Sequence, residues 1–101
     1  MRKGSRVTLS MKKVLRVGQE LDEQVLSASV LKYDEMKECI YFLLESGKLT
    51  DLSLDAIYEC KIEESGERLE CTGRIKERYR GFSGNTCKFE IENGFYKINL
   101  K

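Results

Sequence analysis

The chain has no histidine, no proline and no apolar run long enough to span a membrane. Lacking histidine, it has no access to the commonest general base or to Ser-His-Asp and Cys-His arrangements, so no enzymatic activity is expected. Lacking proline, no β-segment loses a ladder donor, and any of them is eligible for a central position. The basic N-terminal residues Arg2, Lys3 and Arg6 are not followed by a continuous apolar segment, so a cytoplasmic protein without membrane contact is expected. Net charge is also scarce. Lys and Arg number 18 against 17 Asp and Glu, which leaves no whole-molecule field to draw in nucleic acid or an anionic bilayer. The four cysteines, Cys39, Cys60, Cys71 and Cys87, lack the paired C-x-x-C spacing of a zinc site, and no histidine completes one. No metal and no cofactor are expected, and the thiols read as small buried hydrophobes, with a disulfide framework as the alternative.

What is present is two-residue alternation. At 101 residues with 41% hydrophobic composition, the chain suits one domain over residues 1–101 around one modest core. The clearest stretch is 49–62, where Leu52, Leu54, Ala56, Tyr58, Cys60 and Ile62 share one face of an extended strand and Asp51, Ser53, Asp55, Glu59 and Lys61 share the other. Val7, Leu9 and Met11 alternate in a first strand, Gly18 marks a turn, and Leu26, Ala28 and Val30 form the inward side of a second. Residues 38–45 also satisfy a helical spacing, with Asp34 as cap and Gly47 as stop. The short apolar run between turn signals favours a strand. After a turn at Ser65 and Gly66, Leu69, Cys71, Gly73 and Ile75 point inward while Glu70, Thr72 and Arg74 point outward, and Gly73 leaves room for a bend or a large neighbour such as Tyr58. Residues 80–85 read as a loop, and Asn93-Gly94 reads as a type I′ hairpin turn before a last strand with Tyr96, Ile98 and Leu100 inward. The sum is an all-β chain, a small six- to seven-stranded antiparallel, split β-barrel.

Two motifs suggest a ligand. Arg2 and Arg6 are spaced R-x-x-x-R, and Asp51, Ser53 and Ala56 are spaced D-x-S-x-x-A. Together they resemble the signature of PilZ domains, β-barrel receptors for cyclic di-GMP in bacterial signalling. The resemblance implies that Arg2 and Arg6 clamp phosphates or stack on guanine while Asp51 and Ser53 bond the base or orient an arginine. Ala56 stands where the family has glycine, Asp55 adds a carboxylate beside an anionic ligand, and the separation of Arg6 from Asp51 is long for the family. A second resemblance, over residues 14–100, rests on LRVGQEL, VLSASVLKYD and the strands that follow, which look like the N-terminal barrel of flagellar-brake proteins. Such barrels generally lack a nucleotide site and pack against a PilZ domain, which implies a protein-interaction module or self-association. Arg74 and Arg78 repeat the R-x-x-x-R spacing within a basic stretch carrying Tyr79, Arg80 and Phe82, a composition suited to single-stranded nucleic acid on an OB-type barrel. Neighbouring acids such as Glu77 weaken that alternative. Asp51 and Asp55 form a carboxylate pair with no visible partner for catalysis.

Overall fold

A computed structural model describes residues 1–99, with side-chain surroundings described through Phe95. Six strands, β1 (Arg6–Val14), β2 (Val25–Asp34), β3 (Cys39–Leu44), β4 (Ala56–Glu64), β5 (Glu67–Gly81) and β6 (Gly84–Asn99), close in the order β1-β2-β3-β6-β5-β4. All pairings are antiparallel. Residues 38–45 hold a strand rather than a helix, and both its Ile40 and Phe42 are fully buried. The alternation that identified β1, β2, β4 and β5 fills the interior with Val7, Leu9, Leu26, Val30, Tyr58, Cys60, Ile62 and Ile75, each no more than 2% exposed. Burying a side chain of this size contributes about 1.5–3 kcal/mol.

Four expectations are corrected. The stretch 49–62 is not one strand: Leu49–Asp51 forms a 3-10 turn and β4 begins only at Ala56. Leu52 is buried, but Leu54 is exposed, because this segment crosses the end of the barrel and the pleat no longer dictates which side chain points inward. The loop expected at 80–85 shrinks to Phe82 and Ser83, since Gly81 pairs with Gly84. Asn93-Gly94 makes no hairpin. It lies inside β6, where the β5 and β6 register shifts at Glu70, Thr72 and Gly73 take up extra residues of β6. The same shifts turn Glu70 and Thr72, read as outward, into buried positions, where Arg68 Nε donates to Glu70 Oε2 at 2.7 Å and Asn93 Nδ2 donates to Thr72 Oγ1 at 2.9 Å. The last strand is therefore the continuation of β6. The inward placement of Tyr96, Ile98 and Leu100 lies outside the described side chains.

Gly73 pairs with Tyr58 across β4 and β5, but the tight approach is to β6. A Cβ at Gly73 would stand 2.1 Å from the Glu90 carbonyl oxygen, a backbone atom that cannot yield. We expect Gly73→Ala to cost about 3 kcal/mol or to prevent folding, read as the urea midpoint; an unchanged midpoint would refute this tight approach.

All four cysteines are free and buried. Cys60 faces Cys71 across β4 and β5. Proximity to that thiol together with burial drives the Cys60 thiol well above its usual range, and burial pushes Cys87 up to about 12 from 9.0. A thiol that holds its proton in the fold longer than in the unfolded chain contributes stability below pH 9.0, which is lost as pH rises toward about 12. Native protein at neutral pH should leave Cys60, Cys71 and Cys87 unreactive toward an aromatic disulfide reagent, while denaturant exposes them. Rapid native modification of these three would contradict the packing.

Candidate functional site

The barrel has two unlike ends. At one, β3 ends and residues 45–55 cross over to the start of β4, beside the loop that follows β1 and the turn joining β5 to β6. Gly47, at φ +80°, starts the crossing, and a Cβ there would meet Asp51 Oδ2 and a Leu26 methyl at 2.9 Å. Asp51 Oδ2 accepts the Lys48 N–H at 2.7 Å and so closes the 3-10 turn. Leu52 then plugs the interior. Ser53 makes three hydrogen bonds: its Oγ accepts from the Asp55 N–H and from Gln19 Nε2, both at 3.1 Å, and its own N–H donates to the Tyr58 hydroxyl at 2.8 Å. Burial raises the Tyr58 phenol above its usual range, and the Ser53 N–H offsets only part of that.

Two arginines of β5 hold the crossing from its outer side. Arg78 Nη1 donates to the carbonyls of Leu49 and Leu52, and Arg74 Nη2 donates to that of Leu54 at 3.2 Å. Arg74 Nε is buried without a hydrogen-bond partner among the described residues. Arg16 approaches Asp55 at 3.9 Å with both side chains mostly exposed, an ion pair of little energetic weight. Between the crossing and the loop after β1 lies a cavity of about 500 Å³ bordered by Arg16, Gln19, Ser53, Leu54, Asp55 and Arg78. Val17 also lines it, and both Val17 and Leu54 are exposed, Val17 fully so.

The N-terminal arm leads into the start of β1. Arg2 donates its backbone N–H to Glu64 Oε1 at 2.8 Å, the Ser5 hydroxyl donates to the same oxygen at 3.0 Å, and Gly4 N–H donates to the Val30 carbonyl at 2.7 Å. Burial would raise the Glu64 carboxyl, but these bonds and the nearby terminal ammonium and Arg2 hold it below its usual range. Arg6 stands opposite Ser29 and Glu63. Ser53 precedes Ala56, and Ala56 to Glu63 spans roughly 23 Å of strand at about 3.3 Å per residue. Arg6 thus opens β1 while Asp51 and Ser53 precede β4, and Arg6 also borders a recess with Gly4, Ser27, Ala28 and Glu45, the first residue of the crossing. The R-x-x-x-R pair that does meet the D-x-S-x-x-A segment is Arg74 and Arg78. Arg16 and Gln19 gave no sequence signal as cavity residues, since only the crossing brings them to Ser53.

Elsewhere, Tyr79 and Phe82 of the β5 and β6 hairpin overhang Tyr41 and Lys32 around a recess of about 420 Å³, with the Lys32 ammonium 5.8 Å from the Tyr41 ring centre. Among the described residues no cluster of three or more Cys, Asp or Glu side chains is arranged to hold a metal ion.

Removing the Arg78 side chain should free the crossing. Arg78→Ala is expected to cost about 1 kcal/mol in urea unfolding and to speed amide exchange at residues 49–55 selectively; unchanged exchange there would exclude the clamp. Compared with known proteins, the chain matches no family model, no curated protein and no solved structure.

Proposed function

We propose that this barrel is a non-enzymatic, PilZ-like signalling module of the cytoplasm that works by binding protein through its crossing end, as the resemblance to flagellar-brake N-terminal barrels implies. One observation carries the reading: Asp51 and Ser53, the acceptor half of the would-be nucleotide clamp, spend their polar atoms inside the fold. Asp51 caps a turn, Ser53 ties the crossing to Tyr58 and Gln19, and Arg2 sits with Glu64. What remains available at the crossing end is exposed apolar surface at Val17 and Leu54, with exposed Leu15 tied beside them by its N–H to the Asp55 carbonyl, the kind of surface that soluble proteins use for contact.

A second reading has its own support. The cavity of about 500 Å³ has the size of a small-molecule site and brings Arg16 and Arg78 beside Ser53, Gln19 and Asp55. Cyclic di-GMP in that cavity would use these arginines in place of Arg2 and Arg6. Calorimetry and light scattering separate the two. For the interaction barrel, cyclic di-GMP gives no saturable heat, and the chain associates reversibly as its concentration is raised, an association that Val17→Asp abolishes. A strict monomer with saturable nucleotide heat lost in Arg16→Ala would replace the first reading with the second.

A further inference from the structure

The end of the barrel remote from the crossing carries a recess of different chemistry. It encloses about 340 Å³ between Tyr33, Glu35, Glu38, Ile91, Gly94 and Phe95. Tyr33 and Phe95 are half-buried, and their rings meet edge to face with centroids 5.8 Å apart and planes at 83°. Two rings at this angle form a corner walled by aromatic surface. The turn joining β2 to β3 brings carboxylates to it. Its backbone is fixed by the Glu38 N–H donating to the Glu35 carbonyl at 3.3 Å, the Ile91 N–H donating to the Glu38 carbonyl at 2.9 Å, and the Lys37 N–H donating to Asp34 Oδ1 at 3.2 Å. Glu35 and Glu38 are exposed, and their carboxylates have no hydrogen-bond or ion-pair partner among the described residues. Burial raises the Tyr33 phenol, and the charges of Glu35 and Glu38 raise it further, which places both acids within electrostatic reach of that ring. Lys37 is the single cation of the turn, against Asp34, Glu35 and Glu38.

We propose that this corner binds an organic ammonium group. The faces of Tyr33 and Phe95 attract a cation electrostatically and cover its alkyl substituents, which a hydrated metal ion cannot exploit. The two carboxylates add negative charge to a recess walled largely by aromatic and apolar groups, which suits a weakly hydrated organic head group. An alkylammonium of this kind is carried by a polyamine or by a lysine side chain, methylated or not.

The test is a titration of isotopically labelled protein with tetramethylammonium chloride, followed by amide correlation spectra, with sodium chloride at matched ionic strength as reference. Saturable shifts confined to residues 33–38 and 91–95 are expected. The double substitution Glu35→Gln and Glu38→Gln, which changes charge but leaves the contact of Tyr33 with Phe95 in place, should weaken binding roughly five-fold or more. Spermidine and a lysine-containing peptide, titrated in parallel, distinguish a free polyamine from a partner's side chain by which saturates first. Shifts that sodium reproduces, or wild-type affinity in the double variant, overturn the proposal. Because the recess and the crossing lie at opposite ends, that failure would leave the protein-binding reading untouched.

Discussion

Closure of the sheet, completed where β1 pairs with β4, is the constraint on which every other feature rests. Each of the six strands then has two hydrogen-bonded neighbours, although the outer half of β5, from Arg74 to Gly81, pairs with β6 alone. Closure thereby confines strand addition to such one-sided stretches and leaves the two ends and the outer face for other contacts. Closure also accounts for the crossing. β3 and β4 are not neighbours, so the chain must span the barrel end between them, and whatever spans it has to satisfy its own backbone groups. Asp51, Ser53, Arg74 and Arg78 do so for residues 48–55.

How much of this was legible follows from what period-two alternation can report. It reports strands whose one face is buried, and β1, β2, β4 and the first half of β5 are of that kind. It fails where the chain leaves the sheet without breaking the pattern. Leu52 and Leu54 keep the spacing of a strand, yet one plugs the barrel and the other faces solvent. It fails again at bulges, where two register shifts bury Glu70 and Thr72 and absorb Asn93-Gly94, a pair whose backbone tolerance serves an irregular strand as readily as a turn. The candidate sites were less legible still. R-x-x-x-R occurs twice, and only the topology decides which copy meets Asp51 and Ser53.

The polar residues divide by what they bind. At the crossing, arginines are consumed by carbonyls of the chain itself, so the basic stretch of β5 is in large part structural. At the arm, Glu64 gathers the Arg2 and Ser5 donors in the same internal manner. Glu35 and Glu38 differ: their carboxylates find no such internal use among the described residues.

The long hairpin of β5 and β6 has a consequence for the order of assembly. Its strands are joined by only Phe82 and Ser83, so pairing can begin at Gly81 and Gly84 and zip away from the tip with little loop-closure entropy. Pairing of β1 with β4, by contrast, joins residues as distant as Arg6 and Glu63 and must await the collapse of everything between. Until that seam shuts, β1 and β4 present unpaired backbone alongside Val7, Leu9, Cys60 and Ile62. The nascent chain is therefore most prone to aggregate not at the exposed Phe82 but at the seam that the finished barrel conceals.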